Sequence, residues 1–393
     1  MKKSFLLLII LFSISCSRNN PSIDGLPVID VTKNYPVKEI ALTDIADITY
    51  VHLDTKRDEF LYKGDIVYVT ENTFVVKDAS TNSILFFSKD GAPKSCFNHY
   101  GIGPQDYWGI GNPIVYDEAT DEVFIQIRSK IQVYSSKGDY KRSLPFPYGV
   151  LHQMDSFDDQ SLIVYDIGRR FYKEHPKTPE ENMDYLTHTI DSSFFLVSKV
   201  DGQVTDYIQM TLSHIQLSLK TQSGGLIGSI LTEIVKHAAG FLLCNPETDT
   251  VFLYTKKKEL IPLICKTPPV GNMDPKMILN NCIDSEQYQF MEVQTMSYEK
   301  IGRKDYNKYY IRDKKTGEIF QQKIVLPDYK GKRIIISPDL NNFFHENGTC
   351  FQLDLTELKL ADREKRLSGK LKELVDTLNE FEDNNVFMFV KFK

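Results

Sequence analysis

The chain has 393 residues, 41% of them hydrophobic and 12% aromatic, with 47 Lys and Arg against 53 Asp and Glu, a formal net charge of −6. That acidic balance argues against a nucleic-acid partner and against clinging to anionic lipid by charge alone. The 6 cysteines are irregularly spaced with no CxxC, so a disulfide framework is not indicated, and free thiols are expected.

Lys2 and Lys3 precede an apolar run from Phe5 to Phe12, followed by Ser13-Ile14-Ser15-Cys16. A bilayer-spanning helix needs about 20 apolar residues, so this shorter run reads as the h-region of a secretion signal. Ser13 and Ser15 are small, which suits cleavage before Cys16. The set Ser13 to Cys16 resembles the lipobox of bacterial lipoproteins, whose cysteine thiol receives diacylglycerol. The reading is a signal peptide over 1–15, a lipidated Cys16 with a polar tether over 16–25, and an exported body over 26–393. Outer-membrane anchoring follows from the resemblance. Ser17-Arg18-Asn19-Asn20 lacks the acidic cluster of surface-exported relatives, which favours the periplasmic side.

In the body one phrase recurs: a strand of alternating apolar residues, a polar turn often carrying Lys, Asp and Gly, then another strand. It occurs at 83–91, 130–139, 195–202, 251–258 and 309–317, with glycines at 91, 138, 202 and 317. Asp-Gly and Lys-Gly steps supply the positive φ of tight hairpins. A further strand candidate lies upstream of each copy, at 64–69, 122–128, 161–166, 240–245 and 287–295. A hairpin alone cannot bury its apolar face. Four short strands per unit, repeated about every 40 to 50 residues, are the pattern of a β-propeller. Five units are visible and the chain ends must complete a sixth.

Two segments stand out between the repeats. The stretch 101–111, GIGPQDYWGIG, reads as a shaped connection, with Gly101 and Gly103 at φ > 0 and Pro104 stiffening the path. Its sharper reading puts Tyr107 and Trp108, the only tryptophan, at a propeller mouth, stacked on a ligand. The stretch 169–189 interrupts the third unit with Arg169, Arg170 and Tyr172 among other charged and aromatic residues. Long polar insertions in compact repeats are often functional loops, and paired guanidinium groups suit a carboxylate or sulfate. His99, His152 and His237 read as structural.

Near the C-terminus, Leu367, Leu371, Leu374, Leu378 and Phe381 form the stripe of an amphipathic helix over about 367–383. The final strand, 386–392, would be an aggregation-prone edge if left unpaired. It is expected to pair with the stretch from Asp47 to Leu53 and close the ring.

With 45–55 (IADITYVHLDT), Tyr100-Gly101-Ile102-Gly103-Pro104-Gln105-Asp106-Tyr107 and Glu382-Asp383-Asn384-Asn385 before the last strand, the chain resembles the six-bladed β-propeller lipoproteins of Bacteroides and relatives, which are NHL-like in organisation. The resemblance implies an all-β, six-bladed propeller and export, but no general activity. The favoured function is a lipid-anchored binding or assembly scaffold for a glycan, peptide or envelope protein partner. The alternative is a propeller enzyme, a lyase, hydrolase or lactonase-like protein, with Ca²⁺ or Zn²⁺ in the channel. No GxSxG, HExxH or P-loop occurs, so no catalytic residue and no cofactor is assigned.

Overall fold

The recurring phrase is a hairpin in all five places. In each, an apolar third strand ends at the turn and a fourth strand returns along its outer edge. The left-handed turn position is held by Gly91 at φ +90° in the first copy. The fourth copy lacks the glycine and puts Lys258 there at φ +64°, which costs about 1–2 kcal/mol.

The computed structural model describes residues 25–55, 58–107, 113–127, 130–145, 151–166, 193–210, 219–220, 226–227, 231–245, 248–297, 306–338, 343–345 and 347–393. Its strands form six antiparallel blades, numbered here in chain order of their inner strands. Blade 1 contains Gly64–Val69, Thr73–Asp78, Ile84–Ser88 and Pro93–Phe97, from the axis outward. Blade 2 runs from Ile114–Asp117 to Tyr140–Pro145, and blade 3 from Leu151–Ser156 to Val204–Ile208. Blade 4 spans Ile234–His237 to Leu260–Thr267, and blade 5 Lys276–Asp284 to Ile319–Val325.

Blade 6 is made from both chain ends. Phe343–His345, Gly348–Leu353 and Val386–Phe392 supply three strands, and Ala46–His52 adds the outermost one. That last pairing is antiparallel, from Val386 opposite His52 to Phe392 opposite Ala46. The all-β, six-bladed ring closed by its termini is therefore as expected. The residues before the terminal strand pin the seam. The Asn384 side chain donates to the Leu53 and Phe60 carbonyls at 3.0 and 2.9 Å and accepts from the Tyr62 N–H at 3.2 Å. Asn385 accepts from the Leu355 N–H at 2.9 Å.

Each sheet packs between two others, so the middle strands are buried on both faces. Ser161–Asp166 is buried throughout, and such strands read as apolar runs rather than alternation. The core accordingly lies between blades. Phe86, Phe124 and Tyr134 fill the first such layer, and Phe290, Phe320 and Met388 lie in another beside blade 6. Full burial of one such side chain contributes about 1.5–3 kcal/mol. All five cysteines of the described body are free thiols.

Two features were not expected from the repeat. β1 (Val28–Asp30) lies parallel to the outer strand of blade 4, with Val28 opposite Cys265. β2 (Val37–Ala41) lies parallel to that of blade 5, with Val37 opposite Gln321. The chain start thus skirts two blades before β3 (Ala46–His52) enters the third. The C-terminal helix also differs from the reading over 367–383. α1 (Leu42–Ile45) is a single turn near the start, and two helices precede the closing strand: α2 (Leu355–Arg363) and α3 (Gly369–Asp376). The Asp354 side chain caps α2 by accepting from the Glu357 N–H at 2.8 Å. Leu367 is bridged to Tyr329 instead of being helical. Beyond α3, Asn379 and Asp383 capture backbone N–H groups, which competes with a further helical turn. Phe381 is left 85% exposed.

Candidate functional site

The inner strands of the blades surround the axis, and three of them bring together a Tyr, an Asp and a Lys. Tyr68 comes from blade 1, Asp155 from blade 3 and Lys236 from blade 4. The Tyr68 hydroxyl donates to Asp155 Oδ1 at 2.5 Å. Lys236 Nζ donates to the Tyr68 hydroxyl at 2.9 Å and lies 3.2 Å from Asp155 Oδ1. The same ammonium sits 4.0 Å from the Tyr68 ring centroid, a cation–π distance. A bulge between Ile66 and Tyr68 shifts the register of the blade 1 inner strand, and such irregularities re-aim side chains. Burial pushes the Tyr68 phenol well up, and the adjoining Asp155 carboxylate adds to this. Tyr68 therefore stays a neutral donor, and Asp155 an acceptor shared by two blades.

This cluster borders an open cavity of about 230 Å³. Its lining includes Tyr116, Phe157, Lys236, His237, Phe241 and Lys256. His237 accepts the Ala239 N–H on Nδ1 at 3.1 Å and directs Nε2 to Asp284, 3.5 Å away. Lys314 Nζ meets both Asp284 oxygens, at 3.1 and 3.2 Å. Burial alone would raise the Asp284 carboxyl, but the His237 bond and the Lys314 charge outweigh it and hold it below its ordinary range. Behind the neighbouring wall, Lys199 donates to Asp117 at 2.5 Å and to Ser156 at 2.9 Å, joining blades 2 and 3. Chemically the arrangement offers aromatic walls, hydrogen-bonding groups and ammonium charge. Among the described residues no three His, Cys, Asp or Glu side chains gather as metal ligands.

Of the ligand-binding residues singled out in the sequence, Tyr107 is the one that falls among the described residues. Tyr107 is not at a mouth: it is 1% exposed, and its hydroxyl donates to the Asn82 carbonyl at 2.9 Å. Its ring packs against Phe97 and Tyr134, so it is a core residue unable to stack on a ligand. Trp108, Arg169, Arg170 and Tyr172 lie outside the described residues, as does Cys16.

Gly101 and Gly103 do shape the connection, but for a different reason than expected. Neither is at positive φ. The Asp106 carboxylate folds back over them and accepts the Gly103 N–H at 2.8 Å, and a β-carbon on Gly103 would lie 2.8 Å from that oxygen. The Pro104 carbonyl accepts from Gln132 at 2.9 Å and the Gln105 carbonyl from Tyr134 at 2.7 Å. His99 stacks on Tyr134 and hydrogen-bonds the Gly138 carbonyl, a structural role.

Sequence reasoning missed Tyr68, Asp155 and Lys236 because they stand on three different strands far apart in the chain and form no linear motif. His237 carried the one visible signal, a histidine at a strand end.

A family model described as 6-bladed beta-propeller matches residues 17–339. Among solved structures, the chain is similar to a Bacteroides fragilis protein assigned as exported, with 15% identity and a TM-score of 0.61, covering 93% of this chain and 99% of that one. A streptogramin B lyase is more distant, with 11% identity and a TM-score of 0.36 over 72% and 75% of the two chains. The N-terminal domain of Nup159 is similarly distant, at 10% identity and a TM-score of 0.38 over 85% and 78%. A comparison with curated proteins finds no match.

Proposed function

The chain belongs to this six-bladed β-propeller family, and we propose that it is an exported, lipid-anchored binding protein that holds a glycan, peptide or protein partner at one end of the propeller channel. The observation that carries the reading is the Tyr68–Asp155–Lys236 cluster beside an aromatic-walled cavity. Concave sites with aromatic walls and a few convergent polar groups are the usual form of a ligand site. Export is supported by the apolar run before Cys16, and by the likeness to a Bacteroides fragilis protein assigned as exported. Anchoring is supported by Ser13-Ile14-Ser15-Cys16, and placement on the periplasmic side of the outer membrane by the lack of an acidic cluster in Ser17-Arg18-Asn19-Asn20.

The binding claim is tested with glycan and peptide arrays probed by the mature chain and by Lys236→Met, which keeps the side-chain stem. A family of related array members should be captured by the parent chain and lost in the variant, with circular dichroism unchanged. Capture of nothing, or capture indifferent to Lys236→Met, would overturn the reading.

A further inference from the structure

The repeat puts a lysine at the same point of four blades, just after the third strand. Lys89, Lys199, Lys256 and Lys314 each donate their backbone N–H to the turn between the first two strands of their own blade, at the carbonyls of Asn72, Gln160, Ala239 and Gln287 respectively. Three of the four side chains have internal partners. Lys199 is held by Asp117 and Ser156, and Lys314 by Asp284. Lys89 is half-buried against aromatic rings, 4.7 Å from the Phe74 centroid and 5.0 Å from that of Phe389.

Lys256 breaks the pattern. Its ammonium has no hydrogen bond or ion pair among the described residues, it is exposed, and it lines the cavity beside Lys236 and His237. The other cavity charges are already committed. Lys236 and Asp155 answer each other through Tyr68, and His237 is turned to Asp284. Among the described residues, the one unanswered charge lining the cavity is therefore positive. The walls beside it include Phe157 and Phe241. At about 230 Å³ the space is smaller than drug-sized sites, which begin at roughly 300 Å³. It has room for one ring and its substituent.

We propose that the cavity receives a carboxylate borne on a single ring, with Lys256 as the group that recognises its charge; this rests on the binding role proposed above. Selectivity follows from physics: in a partly enclosed site a charge-assisted hydrogen bond is about twice as strong as a neutral one.

The test is saturation-transfer NMR on the mature chain, with D-glucuronate and D-glucose as probes. Glucuronate should receive saturation and glucose much less, and added salt should weaken the glucuronate signal. Lys256→Ala should raise the glucuronate Kd by about tenfold or more, the equivalent of one charge-assisted hydrogen bond. Lys256→Arg should largely preserve binding. Lys257→Ala, on the same turn but outside the cavity lining, should leave it unchanged, and all three variants should melt with the parent. Equal transfer to the two sugars, no transfer to glucuronate, or an unaltered Kd in Lys256→Ala would overturn the proposal. Failure here alongside Lys236-dependent capture of neutral array members would leave the binding role standing without its charge preference. Failure of both experiments would remove the binding role itself.

Discussion

Gly91 packs directly against the main chain of His52, so close that a β-carbon on Gly91 would overlap the His52 carbonyl. Gly91 is on the third-strand turn of blade 1, and His52 ends the outer strand of blade 6. The contact lies on the seam where the ring closes. The Asp54 N–H returns a hydrogen bond to the Gly91 carbonyl at 2.9 Å. The same turn glycine meets the preceding outer strand at two further junctions: a β-carbon on Gly138 would lie 2.6 Å from Phe97 Cβ, and one on Gly202 2.6 Å from the Pro145 carbonyl. The glycine thus does two things in these blades, turning its own hairpin and admitting the neighbouring blade.

Gly317 separates these two roles, because it has φ +75° with open space around its would-be β-carbon. Gly317→Ala should cost only the left-handed penalty, about 1–2 kcal/mol. Gly91→Ala should cost that amount plus the displacement of the seam, together about 3 kcal/mol or more. Urea unfolding of the two variants side by side checks the difference, and equal costs would mean the seam yields freely.

Asn384 is 3% exposed and satisfies three backbone groups from the chain start. Asn384→Ala leaves those groups buried and unpaired, at about 1–3 kcal/mol each before relaxation. The expected outcome is a loss of about 3 kcal/mol or more, with early proteolysis near residues 53–62. A variant as stable as the parent would show that water replaces the side chain at no cost.

Asp284 makes stability depend on acid. Its folded pKa is depressed, so its contribution is fully present above the ordinary carboxylate value and is lost as pH falls through the folded one. Urea midpoints measured from neutral pH down to about pH 2.5 should fall, and Asp284→Asn should flatten that part of the curve. An identical acid slope in the variant would place the linkage in other carboxylates, such as Glu122, which is also lowered beside Arg142.

Cys16 decides the anchor. In a bacterial host with lipoprotein processing, the parent chain should take up labelled fatty acid and partition with membranes. Cys16→Ala should do neither. A parent chain recovered soluble and unlabelled would contradict lipidation while leaving the propeller untouched.

Much of the fold could be read from residue order because its determinants are local. The short apolar strand runs, the Lys-Asp-Gly turns and the apolar stretch Val386–Phe392 each act over a few neighbouring residues. The helix over 367–383 went astray because periodicity alone does not register side-chain capture of the backbone at Asn379 and Asp383, nor the strand-like bridge at Leu367. Tyr107 was misread for a related reason. An aromatic residue after a glycine turn can face solvent or core, and only its neighbours Phe97, Tyr134 and Asn82 choose. The parallel strands Val28–Asp30 and Val37–Ala41 are short and outside the repeat, so nothing local marked their partners.

By itself, then, the residue order determined six units, their turns and the closing strand, since hairpin geometry and two-sided burial follow from neighbours in the chain. The candidate site was decided only by the closed ring. Tyr68 is 87 residues from Asp155 and 168 from Lys236. No local preference spans such distances. The cluster exists because inter-blade packing holds the inner strands around one axis, where a phenol, a carboxylate and an ammonium satisfy one another. The same symmetry, broken at one lysine, leaves Lys256 with its charge unanswered among the described residues.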